Sequence, residues 1–299
     1  MITIHTDTKV HILSKDHKPA AYAESGDTIR FETLDCFGCQ IKDEQQVLDT
    51  LDWSNINPAT GPLFVRDAMP GDVLKVEILD IELEHQGVMI DGPGKGVTGR
   101  AVTERTTKIL PIVDDMVHFN EKLHFPVRPM IGVIGTAPAE EGIDTGTPGA
   151  HGGNMDCALI GVGATLYLPV NTPGALLAMG DLHARMGDGE VAVCGVEIAG
   201  SVTVRVTVLK DYSLPTPFLV NSDIAAAIYS AKTVDKASVG ATMAMHEFLT
   251  EALGMNAHEA GMLLSIAGEL RICQIVDPAK TCRMEIPLSV AKAYQYRFR

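Results

Sequence analysis

The period of the apolar positions changes along the chain. After Gly26-Asp27, Ile29, Phe31 and Thr33 alternate with Arg30 and Glu32. A period of two predicts a strand with one buried face. AMPGDVLKVEILDIELE repeats the device. There Pro70-Gly71-Asp72 makes the turn, and Leu74, Val76, Ile78 and Ile81 interleave with Val73, Lys75, Glu77 and Asp80. Two such strands predict sheet-on-sheet packing. Further strands are expected in Val10-His11-Ile12-Leu13, PVRPMIGVIGTAPAEEG, ALIGVGATLYLPV, SVTVRVTVLKDY and RICQIVD.

Helical spacing is sparse and mostly late. Val47, Leu48 and Leu51 suit a short helix, ended by Asn57-Pro58 and Gly61-Pro62. VDKASVGATMAMHEFLTEALG sets Val239, Met243, His246, Phe248 and Leu249 along one helical face, with Gly254 as the stop. A second helix follows, capped by Asn256 and broken near Gly268. The pattern predicts a mainly β fold with α/β additions: a β-sandwich-like core plus a smaller α+β portion. Residues 1–125 form an N-terminal β-rich portion. Residues 126–299 form a β-rich and helical portion carrying the site, and the two make one compact unit. Residues 87–100, GVMIDGPGKGVTGR, read as a solvent-facing loop or an active-site flap.

Composition narrows the function. With 299 residues, 46% hydrophobic and 21% charged, the chain can bury a core. A net charge of −14 repels a phosphate backbone, and no basic patch overrides it, so nucleic acid is not an expected partner. A bound cation would relieve the acidic self-repulsion. MITIHTDTKVHILSK lacks the apolar stretch of a signal peptide, and no apolar run reaches membrane length. A soluble, cytoplasmic protein without a membrane partner is expected. Cys36-Phe37-Gly38-Cys39 is a C-x-x-C with no second pair at zinc-ribbon spacing. The six cysteines are expected to be reduced and at least partly buried.

Two glycine-rich stretches concentrate polar chemistry. GDLHARMGDGE holds Asp181, His183, Asp188 and Glu190. In extended chain Asp181 and His183 share a face, where a carboxylate and an imidazole can grip one cation. The plainer reading is a hydrogen-bonded turn, and Asp188 in particular reads as a solvated turn acid. TGTPGAHGGNMD sets His151, Asn154 and Asp156 in a tight loop, where Gly152-Gly153 lets backbone approach a ligand. A turn bonded to its own backbone fits that loop equally well. Just upstream, one of Glu140 and Glu141 could face a pocket and shuttle a proton, or both could be solvated. Asp35 could reach a site at the sheet edge or end its strand in a turn. Cys157, directly after Asp156, would point away from the side on which Asp156 acts.

PAEEGIDTGTPGAHGGNMD followed by GALLAMGDLHARMGDGEVAVCGVEI resembles the acetamidase/formamidase family. RPMIGVIGTAP, NPATGPLFVRDAMPGDVLKVEI and GELRICQIVDP are similar to its other landmarks, so the resemblance spans nearly the whole chain. It implies a β-rich sandwich with an added α/β portion, and hydrolysis of a small amide such as formamide or acetamide. It also implies a divalent metal, zinc or calcium, and a homodimer. Carried over by position, it marks Glu141, His151, Asn154, Asp156, Asp181, His183 and Glu190. The expected metal ligands are Asp156, Asp181 and His183, with His151 and Asp35 as further candidates. Glu141, Asn154 and Glu190 are the expected catalytic residues. Arg185-Met186 and Cys157 depart from the family pattern, which bears on substrate preference. A cation- or ligand-binding β-sandwich without catalysis, or a hydrolase of another small C–N substrate, is the alternative.

Overall fold

A computed structural model describes residues 1–299. The first alternating run forms the strand Thr28–Thr33, with Ile29, Phe31 and Thr33 buried. The second forms Val73–Leu83, paired antiparallel with Gly200–Leu209. Their register slips between Thr203 and Val204, so Leu79 has no partner. Such a bulge shifts the alternation by one residue. That is why Ile78 and Ile81, three apart, are both buried while Leu79 is 38% exposed.

Among the described residues, two large sheets carry the fold. A nine-stranded sheet is built around Val73–Leu83 and Gly200–Leu209, and it ends at the edge strand Glu269–Gln274. An eleven-stranded sheet holds Gln86–Asp91, Glu197–Ile198, Leu177–His183, Met130–Gly135 and Gly152–Asn154 as successive antiparallel neighbours. Phe31, Val76 and Val204 of the first sheet join Ile131, Leu177 and Leu182 of the second in one apolar cluster. This is the mainly β, layered fold that the periodicity predicts, with few helices. Strands from 1–125 and from 126–299 interleave in both sheets.

Several local expectations change. ALIGVGATLYLPV is a strand only over Thr165–Pro169, because a turn at Gly161 and Gly163 precedes it. In GVMIDGPGKGVTGR the first five residues belong to the strand Gln86–Asp91, and the loop starts at Gly92. The early helix is a single tight turn, Leu48–Thr50. The helix Val234–Glu247 runs on through a wide turn, Phe248–Ala252. Its buried side is Ala237, Ala241 and Met245, then Phe248 and Leu249. Val239 and Met243 point outward, 63% and 57% exposed. Alanines four apart let the helix lie close on the strands below, which a stripe of larger residues would prevent. Asn256 caps the helix Ala257–Ala267 as expected, accepting from the His258 and Glu259 amides.

The C-terminal AYQYRFR folds two of its aromatics onto its own chain. Tyr296 and Phe298 pack beside Phe248, and Tyr167 donates to the Arg299 carbonyl at 3.0 Å. The aromatic rings gain more from this apolar cluster than from an exposed face.

Candidate active site

The strand Leu177–His183 is buried at every residue and brings Asp181 and His183 together. It does so irregularly. Pairing with Met130–Gly135 skips Asp181 and Gly132, and Asp181 has φ +58°. Asp156 and Glu190 are also left-handed, at φ +44° and +47°. That conformation costs roughly 1–2 kcal/mol for a residue with a Cβ. Three such acids in one place concentrate strain where function is built. Two glycines make the room. A Cβ on Gly132 would overlap Asp181 Oδ2 and Asp156 Oδ1, and one on Gly195 would overlap the His183 ring.

The side chains converge without satisfying one another. His183 Nε2 lies 2.9 Å from Glu197 Oε1, 3.6 Å from Asp181 Oδ1 and 3.9 Å from Asp156 Oδ1. Neither His183 nitrogen completes a hydrogen bond. Both Asp156 oxygens, Glu190 Oε2 and Glu197 Oε2 are buried and unpartnered too. One ligand atom each from Asp156, His183 and Glu190 lies within 4.8 Å of the others, and Cys36, Asp181 and Glu197 form a second such group. Orphaned buried polar atoms are costly singly. Gathered around shared points, they could hold a cation.

Charge is crowded here. Burial and the Asp181 carboxylate push Asp156 well above the usual carboxylate range. Burial and Asp156 do the same to Glu190, and burial and Glu190 to Asp277. Burial pushes Glu197 up to about 7, with Asp181 adding to the rise. Burial opposes a charged His183, yet Glu197 and Asp181 outweigh it and hold its pKa well above 6.5.

A cavity of about 520 Å³ opens over this cluster. Asn154, Asp181, Glu190, Glu197 and Asp277 line it, along with Cys36. Asp156 and His183 are not on its wall, but they lie within reach of the lining acids. Asn154 Nδ2 donates to Asp277 Oδ2 at 3.0 Å, leaving Asn154 Oδ1 free.

The other sequence candidates lie elsewhere. Glu141 is exposed on a surface turn and does not line the cavity. Asp35 is buried, but its Oδ1 accepts from the Phe37 and Cys39 amides at 2.9 and 2.7 Å and shapes the Cys36–Cys39 turn. His151 is buried under Gly153, away from the cavity wall, and burial lowers its pKa to about 4. Cys157 is fully buried and off the cavity. Asp188 is an exposed turn acid as expected, yet it also receives Arg283 Nη1 and Nη2 at 2.7 and 2.8 Å. Glu197, Asp277 and Cys36 escaped sequence reasoning. Glu197 carried one usable signal, a carboxylate between Val196 and Ile198 in a buried strand.

Known proteins resemble this chain over most of its length. The sequence profile of the acetamidase/formamidase family matches residues 9–145 and 139–293. The solved acetamidase of Bacillus halodurans is 48% identical, covering 98% of this chain and 99% of that one, with a TM-score of 0.97. A predicted acetamidase/formamidase from Thermoanaerobacter tengcongensis is 46% identical over 99% of each chain, also with a TM-score of 0.97. A Schizosaccharomyces pombe protein that carries the formamidase name is 32% identical over 65% of this chain. The chain spans 63% of that relative's length.

Proposed function

We propose, for a chain that belongs to the acetamidase/formamidase family, that it hydrolyses the C–N bond of a short primary amide to ammonia and a carboxylate. The observation that carries this reading is the set of buried, unpartnered donors around His183, at the foot of an open cavity. The family resemblance implies a divalent cation, and the residues fit one. Asp156, Asp181 and His183, drawn from both groups and meeting at His183 Nε2, would hold it, with Glu197 and Cys36 beside Asp181. A donor set with imidazole and thiol suits zinc better than calcium, which takes oxygen ligands. When bound, such an ion polarises an amide carbonyl and lowers the pKa of water.

The chain's own groups supply the rest. Glu190 Oε2 is free, buried and on the cavity wall. It takes a proton from the attacking water and delivers it to the leaving nitrogen. Glu141 is too far into solvent for that role, so Glu190 takes it. Asn154 presents a free acceptor, Oδ1, since Nδ2 spends a hydrogen on Asp277. Its Oδ1 therefore suits the substrate's NH2 group better than a developing oxyanion. Asp277 fixes Asn154 in that orientation.

Six free thiols support a reducing, cytoplasmic setting. Exposed Val239, Met243, Met262 and Ile266 on the outer helices support the expected homodimer. Ammonia release from formamide, acetamide and propionamide tests the activity. Turnover is expected with at least one, falling to background in Asp181→Ala and His183→Ala. Glu190→Gln should fall about 10²–10⁴-fold. Silence of the native protein across the panel would favour a ligand-binding protein without catalysis.

A further inference from the structure

The cavity is larger than a two-carbon amide requires. Its 520 Å³ falls in the range of roughly 300–1,000 Å³ that takes ligands of many heavy atoms. Phe37, Trp53, Ile56, Ile90, Val193 and Val276 give it an apolar wall. Lys95 is the one cationic side chain among the described lining residues. Five of the others, Asp144, Asp181, Glu190, Glu197 and Asp277, are acids.

Lys95 is placed rather than loose. It sits in the glycine-rich loop, where its amide donates to the Gly92 carbonyl and its carbonyl accepts from Gly99, both at 3.0 Å. Val97 ties the same loop to the Val191 carbonyl at 2.8 Å. Gly96, at φ +56°, has no room for a Cβ against Val191, Ala192 and Val193. The loop is thus docked on the segment that follows Glu190. The Lys95 ammonium stands 4.8 Å from the Trp53 ring centroid. Among the described residues, no carboxylate lies within 4.0 Å of it. A half-buried ammonium on an aromatic face, in a chain of net charge −14, retains an unused capacity for a carboxylate.

We propose that the preferred substrate is the monoamide of a short dicarboxylic acid. The primary amide sits over the carboxylate–histidine cluster, the methylene spacer lies on the apolar wall, and the free carboxylate pairs with Lys95. This rests on the amide-hydrolase reading and extends its acyl group. The step is ordinary hydrolysis. Water oxygen bonds to the carbonyl carbon, the C–N bond breaks, and both of the water's protons leave with the nitrogen as ammonium. A dicarboxylate remains.

The test uses the metal-loaded, full-length protein. Ammonia release is measured for acetamide and for length-matched pairs, butyramide against succinamate and valeramide against glutaramate. At least one anionic member should exceed its neutral partner, and acetamide, by about tenfold in kcat/KM, as expected for one charge-assisted bond. Lys95→Met should bring that ratio close to one, and Lys95→Arg should preserve it. Calorimetry gives a readout without turnover: succinate or glutarate should bind the native protein and lose affinity about tenfold in Lys95→Met. Neutral amides matching or beating their anionic partners would overturn the inference, as would a ratio unmoved by Lys95→Met. Acetamide turnover without anionic preference removes this inference alone. Silence on every amide removes the hydrolase reading with it.

Discussion

Asp181 sits at φ +58° in the middle of a buried strand, and Gly132 across the sheet is what lets its carboxylate stay there. Gly132→Ala would drive a methyl into two carboxylates. We expect it to lose zinc binding and amide turnover together, at least about 10²-fold, with circular dichroism unchanged. Retained metal affinity would show that the carboxylates can move aside. Glu197 stands closest to His183, and Glu197→Gln would remove the charge that holds the imidazole. A fall of about 10–100-fold in zinc affinity is expected by competition with a chelator. At this scale the sequence was partly legible. Asp181 and His183 are two apart, so local periodicity brought them together. Glu197, Asp277 and Cys36 reach the cavity from separate elements, and no local rule links them to His183. Glu141 and Asp35 matched by residue type, but one is solvated and the other spends its oxygen on backbone amides.

Elements position these residues through one seam. The Gly189 amide donates to the Cys273 carbonyl at 2.9 Å, and Ile275 donates back to Gly189 at 3.2 Å. Arg283, buried beside them, grips Asp188 with two nitrogens and Glu285 with Nε at 2.6 Å. Gln274, fully buried, accepts from the Val276 and Asp277 amides at 3.0 and 3.1 Å and donates to the Ala279 carbonyl at 2.6 Å. The loop with Glu190 and the loop with Asp277 are thus held by one edge of the nine-stranded sheet. Arg283→Met strands the mostly buried Glu285 and releases the exposed Asp188, and it should cost about 1–3 kcal/mol in denaturant unfolding. Gln274→Leu should cost about 1–3 kcal/mol, and it should lower kcat by freeing Asp277. Unchanged kcat in Gln274→Leu would mean that Asp277 needs no such support. Asp188 reads correctly as a solvated turn acid, but its ion pair is not legible because the partner is 95 residues away. The main helix shows the same limit. Its existence was legible, but its buried face depended on alanines that only the neighbouring strands make favourable.

For the whole molecule, the crowded acids set a pH response. The groups to consider are those of protein stripped of cations. Glu197 has an ordinary pKa of 4.5 and titrates at about 7 when folded. The folded state therefore keeps a proton that the unfolded chain has released, and stability falls as pH rises through that value. Asp156, Glu190 and Asp277 are raised and share this sign. His183 is raised as well, so its contribution is full below pH 6.5 and is lost above it. His151, lowered to about 4, acts oppositely, but only between 4 and 6.5. Above pH 6.5 the stripped protein should therefore lose melting temperature as pH rises. Added zinc should flatten the curve by replacing the lost protons. A flat profile without metal would contradict the crowding.

The layered fold was the most legible feature, because strand periodicity is written locally. The folding-back of AYQYRFR was not, because its aromatic cluster is assembled from distant parts of the chain. Exposed apolar residues on the outer helices bear on assembly, and sedimentation should give a dimer that Met243→Glu with Ile266→Glu dissociates.

We propose that Asp156, Asp181 and His183 hold a cation needed for amide hydrolysis. The most direct measurement is ammonia release from acetamide and succinamate by one preparation, assayed as purified, after thorough chelation and after zinc add-back, with bound metal determined in each state. The account predicts bound metal at the start, activity lost with it and restored by zinc. Full activity in chelated protein with no detectable metal would contradict it.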